Sequence, residues 1–421
     1  MTRPQHIPVA IVGGGQAGLS TAHCLRQHGI DSVIFERHRA FHSWKRNRWD
    51  SFCLVTPNWQ CRLPDFHYGR DYGGTDPHGF MPKDEIADYL DAFAERVRPD
   101  LREGVEVTRV AQRLGGGFVV ETSDGRWTAE AVVIATGGYD KPIEPGFAQR
   151  LSPEIAQIHS ADYRNPGQLP EGGVLIVGTG QSGVQIMEDC IRDGRDVHLA
   201  VGPAPRSPRH YRGRDATDWL YDAGHYSVTI DAHPDPEKAL GQTNHYMSGR
   251  DGGKEIDLRR FHVDHGLSLY GSLADMDGTR AGFLPDLAKN LDDADRSYLG
   301  IREQIDAHIA REGIDAPEEP PFEKVWEPAE EATDIDLAEA GITSVIWAIG
   351  FRPDYGWIEA DVFDPHGKPE YHRGVTAVPG LCFIGLGWLN TWGSGRFLGI
   401  EEDSRYLAAR IAEQLEARAA S

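Results

Sequence analysis

Two glycine patterns of the same form stand near the start and in the middle of the chain. Both read G-x-G-x-x-G, at residues 13–18 and 178–183, and each follows a short β-branched apolar run. A strand, a tight turn and a helix start of this kind let the pyrophosphate of a dinucleotide approach backbone N–H groups. Two bound dinucleotides, a flavin and a nicotinamide, would make the chemistry one of oxidation and reduction. The residues predicted to hold them are Gly13, Gly15, Gln16, Ala17 and Gly18 in the first pattern and Gly178, Gly180, Gln181, Ser182 and Gly183 in the second.

The side chains that follow the next predicted strand differ between the two patterns. Glu36 ends the first such strand, where a carboxylate can accept hydrogen bonds from the ribose hydroxyls of an adenosine. The corresponding strand in the middle of the chain, 197–201, is followed by Gly202 and then by an exposed cationic loop with Arg206, Arg209, Arg212 and Arg214. Guanidinium groups at that place suit the 2′-phosphate of NADP. The sequence therefore favours NADPH over NADH at the second site.

The segment between residues 37 and 78 is rich in Trp, Arg, Pro and His and departs from a simple alternation of strands and helices. We expect it to cover a cofactor, because aromatic and guanidinium groups can line a flat isoalloxazine ring and neutralise a pyrophosphate. Arg37 and Trp44 are its cofactor-binding candidates. Arg48 lies in the same segment and is a candidate ligand of the cofactor phosphates.

Composition restricts the class of protein. The 421 residues suffice for two or three domains, each with its own core. A formal net charge of -22 repels phosphate backbones and anionic lipid, so we expect no nucleic-acid and no membrane partner. No apolar stretch of transmembrane length occurs, and residues 1–8 lack the core of a signal peptide, which predicts a cytoplasmic protein.

The five cysteines form no C-x-x-C pair and have no metal-ligand spacing with the histidines, so no metal site is predicted. Cys53 and Cys61 are the closest two. They are either a redox-active dithiol or ordinary half-buried thiols, and the pattern favours ordinary thiols.

The elements around these residues indicate an α/β fold with two Rossmann-like dinucleotide-binding domains. Helices are predicted over 17–27, 81–96, 182–192 and 401–418, and a small antiparallel layer over 105–129. The buried run 131–137 ends in Thr136 and Gly137, and the run 345–350, which ends in Gly350, nearly repeats it. The repeat indicates a duplicated topology, in which each dinucleotide domain returns to its own sheet by a similar strand, and we expect both strand ends to contact cofactors.

Taken together, these motifs resemble those of the class B flavoprotein monooxygenases, which include the flavin-containing monooxygenases, and the resemblance spans most of the chain. It rests on the paired glycine turns, on Glu36, on Ser43-Trp44 where relatives have Gly-x-Trp, and on the runs 135–137 and 348–354. Residues 159–163 match the latter half of the family signature F-x-G-x-x-x-H-x-x-x-[FY]. Pro153 and Ile155 stand where the family has Phe and Gly.

The resemblance implies FAD at the first site, NADPH at the second, and dioxygen and a small-molecule substrate as partners. Such enzymes form a flavin C4a-(hydro)peroxide that oxygenates the substrate, here preferably at nitrogen or sulfur. Baeyer–Villiger oxygenation of a ketone and NADPH oxidation without oxygen insertion are the alternatives. Asn58 is the side-chain amide expected near the flavin, or else a turn residue after proline. The resemblance also gives Arg48 a catalytic interpretation, as the active-site cation that Baeyer–Villiger members use, beside its interpretation as a ligand of the FAD phosphates.

A proline-rich link between two domains is indicated by Pro142, Pro145, Pro153 and Pro166. The FAD-binding domain is expected to cover 1–165 and 341–421, and the NADPH-binding domain 166–340. The segment from about 215 to 335 would be an insertion in, or a decoration of, the second domain. A homodimer is left open.

Overall fold

The computed structural model describes residues 5–241 and 244–420. Its α-helices are α1 (Gln16–Gln27), α2 (His42–Lys45), α3 (Lys83–Val97), α4 (Gln181–Arg192), α5 (Ala216–Asp222), α6 (Pro236–Gly241), α7 (Leu258–His265), α8 (Leu287–Glu312) and α9 (Ile400–Ala419). Its strands are β1 (Gln5–Val12), β2 (Ser32–Glu36), β3 (Arg62–Leu63), β4 (Phe66–His67), β5 (Asp100–Glu103), β6 (Val107–Gln112), β7 (Phe118–Thr122), β8 (Gly125–Ile134), β9 (Lys141–Pro142), β10 (Ala156–His159), β11 (Gly173–Val177), β12 (Val197–Ala200), β13 (His210–Tyr211), β14 (Arg214–Asp215), β15 (Ser268–Tyr270), β16 (Leu273–Asp277), β17 (Arg280–Phe283), β18 (Asp334–Asp336), β19 (Ile342–Trp347), β20 (Phe351–Arg352), β21 (Ile358–Glu359) and β22 (Leu381–Phe383). None of these helices is long and apolar enough to cross a membrane.

The first sheet is centred on β1. Its strand order is β21-β6-β7-β8-β1-β2-β5, and β22 pairs with β8. β1 runs parallel to β2 and β8, with Val12 opposite Phe35 and Ile134, while β6, β7 and β8 form the predicted antiparallel layer. Because β1, β2 and β8 end level with one another, the residues that follow them meet at a single edge of the sheet. Helices α1 and α9 share a buried core beside this sheet, with Leu19 and Leu407 among its members.

The second sheet repeats this arrangement in parallel strands. Its order is β10-β19-β11-β12-β15, and Val177 at the end of β11 lies opposite Ala200 and Trp347. Every residue of β11 is buried, as expected for a parallel strand covered on both faces. The predicted α/β class with two dinucleotide-binding units is confirmed.

The two sheets divide the chain at places other than the predicted domain boundaries at 165/166 and 340/341. Strands β10 and β19 were assigned to the first domain by those boundaries, but both lie in the second sheet. The reason is that β19 is the apolar strand that pairs with both β10 and β11 and completes the second sheet. The crossing between sheets occurs instead where β9 pairs antiparallel with β20.

The segment predicted as an insertion contains helices α5 to α8 and most of a small antiparallel sheet of β16, β17 and β18. Trp219 of α5 packs with Ile305 and Ile309 of α8. The segment also reaches the other domain, because the backbone N–H of Ile230 donates to the Asn390 carbonyl at 2.7 Å. It therefore forms part of the junction between the two units.

Candidate functional site

Of the three glycines that define the first G-x-G-x-x-G pattern, the fold requires two and does not require the third. Gly13 has φ +115°, and a Cβ there would lie 2.5 Å from the Ala135 carbonyl oxygen. A Cβ on Gly18 would overlap the carbonyl of Gly13, so the close packing of α1 on the turn explains this position. At Gly15, in contrast, an added Cβ would meet nothing within 4 Å. Nothing inside the fold explains this glycine, whereas a ligand that approaches the backbone would.

The second glycine turn repeats the first in detail. Gly178 has φ +104°, and its Cβ would lie 2.7 Å from the carbonyl oxygen of Ala348. A Cβ on Gly183 would overlap the Gly178 carbonyl, and one on Gly180 would again meet nothing within 4 Å. Gly15 and Gly180 are the N-caps of α1 and α4, and neither cap has a side-chain hydrogen bond. The N–H groups of both first turns are therefore available to an anion.

Glu36 lies beside the first turn, as predicted. Its carboxylate accepts hydrogen bonds from the N–H of Gly14 at 2.7 Å and from that of His38 at 2.8 Å. Arg37 pairs with Asp140 at 2.6 Å and thereby ties the end of β2 to the loop after β8. A groove of about 600 Å³ opens next to these residues and is lined by His38, Arg39, His42, Arg46, Glu103 and Gly104. The structure thus brings the first turn and the acid together, and the groove lies beyond them, at the residues that follow β2.

The remaining predicted cofactor residues lie at the same two strand edges. Ala17 is buried, and a Cβ added on Gly385 would lie 2.9 Å from the Ala17 Cβ. The Ala17 side chain therefore packs inside the fold, which leaves its backbone as the part that a cofactor could contact. Thr136 and Gly137 come two and three residues after the end of β8, and Gly350 is two residues beyond the Ala348 carbonyl that meets the second turn.

Gln181 and Ser182 open α4 beside the second turn. The Gln181 side chain spans Met247, donating to its carbonyl at 2.5 Å and accepting from its N–H at 3.2 Å. His159, from the family signature, lies within hydrogen-bond distance of the Gly350 carbonyl at 3.2 Å, and burial lowers its pKa. These side chains fix the backbone around the second turn.

The aromatic segment after β2 covers the first turn. The indole N–H of Trp44 donates to the Gln16 side-chain oxygen at 3.0 Å, and its ring stacks on Phe397 with centroids 5.3 Å apart. The Arg48 guanidinium lies over the rings of Trp44 and Phe52, at 5.1 and 5.3 Å from their centroids. Burial lowers the pKa of Arg48. The segment predicted to cover a cofactor thus places Trp44 against the first turn, and Arg48 lies on the Trp44 ring.

Asn58 is buried, and backbone groups use its amide. Its side-chain oxygen accepts from the N–H of Met81 at 2.8 Å, and its NH₂ donates to the Asp76 carbonyl at 3.0 Å. These two bonds hold the loop 76–81 on the short helix that Asn58 begins. Its placement corresponds to the turn interpretation, and its predicted role beside the flavin gains no support.

The cysteines are ordinary thiols in this fold. All five are free, and Cys61 is fully buried while Cys53 is half-buried. Burial raises the pKa of Cys53 to about 11 and also raises that of Cys61. Thiols with raised pKa values are poor nucleophiles at neutral pH, so this pair has the character of structural residues.

Arg206 and Arg209, predicted to contact a 2′-phosphate, point into the interior instead. Arg206 is 2% exposed and donates to Asp295 at 2.8 Å, with Asp257 at 3.5 Å. Arg209 is 1% exposed and forms a two-point contact with Asp215. Carboxylates supplied by the following segment neutralise both cations, and only the tertiary structure shows which carboxylate pairs with which arginine. The expected exposed cationic loop is not what these two residues form.

Several residues of the domain junction had not been singled out from the sequence. The ring of Trp392 lies 4.2 Å from the Arg396 guanidinium and 4.5 Å from the ring of Tyr226. Trp392, Arg396 and Phe397 belong to one stretch between β22 and α9, whose density of Trp, Arg and Gly after a buried strand was the available signal. Tyr226 comes from the inserted segment and could be found only from the tertiary structure.

The residues fit a dinucleotide at each turn. Each has a middle glycine with open space, uncapped N–H groups and close-packed outer glycines, and the first also has a positioned carboxylate. The donor sets are those that bind a pyrophosphate and, at the first turn, a ribose.

Comparisons with known proteins agree with this geometry. A family model described as pyridine nucleotide-disulphide oxidoreductase matches residues 10–216. The chain is 33% identical over 407 residues to the oxidoreductase CzcO-like of Geobacillus kaustophilus, an alignment that covers 96% of this chain and 98% of that protein. It is 30% identical over 216 residues to indole-3-pyruvate monooxygenase YUCCA6 of Arabidopsis thaliana, over 48% of this chain and 51% of that one. A solved flavin-containing monooxygenase from Stenotrophomonas maltophilia aligns with a TM-score of 0.65 at 20% identity, over 98% of this chain and 99% of that chain.

Proposed function

The chain belongs to the family of CzcO-like oxidoreductases, and we propose that within this family it is an FAD- and NADPH-dependent monooxygenase of a small-molecule substrate. It is an oxidoreductase with the fold of the flavin-containing monooxygenases. The observation that carries the proposal is the pair of equivalent glycine turns, each with an uncapped helix and an open middle glycine. Dioxygen and the substrate are its proposed partners.

The first turn would hold FAD. The N–H groups at the start of α1 face the pyrophosphate position, and Glu36 is placed to accept from a ribose. Trp44 closes over this turn through Gln16 and Phe397. When bound, a flavin would accept a hydride from the nicotinamide and would react with dioxygen.

The second turn would hold NADPH at the start of α4. Gly180 leaves its backbone open, and Gln181 fixes the neighbouring segment of chain at Met247. Because Arg206 and Arg209 are neutralised inside the fold, the choice of NADPH over NADH would rest on other groups. The proposed location is the cytoplasm, where free thiols stay reduced.

The protein's own part in oxygen transfer would be to orient the reactants and to exclude water. Trp44, Phe52 and Phe397 form an apolar wall beside Arg48. A dry wall of this kind protects a reactive intermediate from hydrolysis and strengthens the effect of each nearby charge. We propose nitrogen or sulfur as the oxygenated atom, with ketone oxygenation as the alternative within the same class.

The test is the fate of isotopically labelled oxygen. The FAD-loaded enzyme is supplied with NADPH and ¹⁸O₂, and with thioanisole, N,N-dimethylaniline and cyclohexanone as probes of the three oxygenated atoms. We expect ¹⁸O in the sulfoxide or the N-oxide and NADPH consumption that matches product. If NADPH is consumed but all labelled oxygen leaves as hydrogen peroxide with every probe, the protein is instead a non-oxygenating oxidoreductase.

A variant of the second turn provides the control. Gly180→Val should abolish reduction of the flavin by NADPH, because its side chain enters the space that the pyrophosphate needs. The same variant, reduced with dithionite, should still react with oxygen. Retention of full NADPH-driven reduction in this variant would remove the assignment of the second turn.

A further inference from the structure

Two arginines at the domain junction carry charge that the protein does not neutralise. Arg48 donates to the Asn47 carbonyl at 3.2 Å, and its Nε is buried without a partner. Arg396 donates to the carbonyls of Trp392 and Ser394 and to the side-chain oxygen of Asn244. All of these acceptors are neutral, and in the described part of the chain neither guanidinium pairs with a carboxylate.

This state is unlike that of the other inward-facing arginines. Arg206, Arg209 and Arg259 are 1–2% exposed, and each is paired with at least one aspartate. Arg48 and Arg396 are half-buried, and burial lowers the pKa of both. A partly desolvated cation without a counter-ion is costly, and the cost is recovered when an anion binds.

One pair of stacked rings connects the two arginines. Arg48 lies on Trp44, which stacks on Phe397, the residue that follows Arg396. Both arginines therefore lie next to the same stacked pair of rings, Trp44 and Phe397.

We propose that Arg48 and Arg396 receive a carboxylate of the substrate at the junction of the two domains. This inference rests on the proposed function and names the class of molecule that it oxygenates, an organic acid. Planar guanidinium groups match a carboxylate with paired N–H donors. Each arginine lies on an indole ring, Arg48 on Trp44 and Arg396 on Trp392, and these rings offer an apolar surface to the rest of the substrate.

The anionic groups of the cofactor are the other source of negative charge. The pyrophosphate has its own donors at the start of α1, where Gly15 leaves the backbone open. Arg396 is instead bonded to Asn244, which follows the inserted segment's α6, and so faces the junction. This placement favours the substrate as the ligand of Arg396.

The experiment measures binding to the oxidised, FAD-loaded enzyme without NADPH, so that turnover plays no part. Phenylacetate and its neutral isostere phenylacetamide are titrated against tryptophan fluorescence and the flavin absorbance. We expect phenylacetate to bind more tightly than the amide, and Arg396→Gln to weaken phenylacetate roughly ten- to hundredfold while leaving the amide unchanged. Arg396→Lys should recover part of the loss, and Arg48→Gln should reproduce it.

Arg62→Gln is the matched control. Arg62 also lies over a tryptophan, at 5.3 Å from the Trp59 ring, and donates to the carbonyl of that same residue. The Arg62 guanidinium also lies 5.5 Å from the centroid of the Tyr221 ring. Arg62 thus contacts the pair Trp59 and Tyr221, and not Trp44 or Trp392. This variant should bind both probes as the wild type does.

Three results would overturn the inference. The first is equal affinity of the wild type for acid and amide. The second is an equal loss of both probes in Arg396→Gln. The third is a shift of the flavin reduction potential in this variant with phenylacetate binding intact, which would assign the arginine to the flavin. Because binding is read without turnover, tight acid binding combined with no ¹⁸O transfer would remove the proposed monooxygenase activity and leave the anion site standing.

Discussion

Replacing Arg209 by alanine should destabilise the fold rather than change the choice of nucleotide. The guanidinium donates to Asp215 at 2.8 Å and to the Val55 carbonyl at 2.5 Å, and it stacks on Phe80 at 4.4 Å. Without it, Asp215 would be a buried carboxylate lacking its counter-ion, which costs about 3–5 kcal/mol. Asp215 also caps α5 through Thr217, so the effect should extend to that helix.

Arg214, from the same predicted cationic loop, provides the comparison. Its side chain is 40% exposed and pairs with Asp222 at 2.9 Å, itself 46% exposed. A pair of this kind contributes at most about 1 kcal/mol. At roughly 2–4 °C per kcal/mol for domains of this size, Arg209→Ala should lower Tm by on the order of 10 °C and Arg214→Ala by only about 3 °C.

The assay is thermal unfolding of each variant together with flavin reduction by NADPH and by NADH at a temperature where both variants are folded. We expect the ratio of kcat/KM for the two nucleotides to equal that of the wild type in both variants. An unchanged Tm for Arg209→Ala, combined with a loss of tenfold or more with NADPH alone, would refute the reasoning and restore the 2′-phosphate assignment.

Three further predictions concern other positions. Gly15→Ala should leave the Tm of the apoprotein unchanged and weaken FAD binding in a fluorescence titration. Gly18→Ala should lower the Tm of the apoprotein, because the added Cβ overlaps the Gly13 carbonyl. Equal Tm values for the two variants would contradict this prediction. Asn58→Ala should lower stability by about 1–3 kcal/mol in urea unfolding by leaving the Met81 N–H unpaired, with the flavin reduction rate unchanged. Burial raises the pKa of Asp403 from 3.8 to about 7, so the native state keeps a proton that the unfolded chain has lost, and stability falls as pH rises between these values. Asp403→Asn should remove this fall and be more stable than the wild type by up to about 4 kcal/mol above pH 7. The free energy of unfolding in urea is measured for both proteins from pH 5 to 8, and the same dependence on pH in both would contradict the prediction.

The local signals in the sequence were enough for the fold. Period, glycine and strand-end residues placed α1, α4 and both glycine turns within a residue or two of where they lie. The repeat of the run before Gly137 by the run before Gly350 correctly indicated two equivalent sheets. The same repeat also implied that β19 belongs to the second sheet, but the domain boundary drawn from the proline-rich link placed it in the first.

The site was less accessible from the sequence, because side-chain partners come from distant parts of the chain. Arg206 and Arg209 have the spacing of a phosphate-binding loop, and only the fold supplies Asp295 and Asp215 to them. Asn58 has the residue type of a catalytic amide, and only the fold brings the N–H of Met81 to it. Residue type and spacing predict which groups are present, but they do not predict which groups are already neutralised.

That distinction separates architecture from ligand binding throughout the molecule. Gly13 and Gly18 are required by contacts within the protein, whereas nothing in the protein accounts for Gly15. Among the arginines, the inner ones have aspartates, whereas Arg48 and Arg396 have only neutral acceptors. The overall charge of -22 would repel an anion at long range, yet screening at physiological ionic strength confines that repulsion to about 8 Å. Inside the junction, two unneutralised cations in a poorly hydrated setting therefore outweigh the acidic surface, and an acidic protein can still select an acidic substrate.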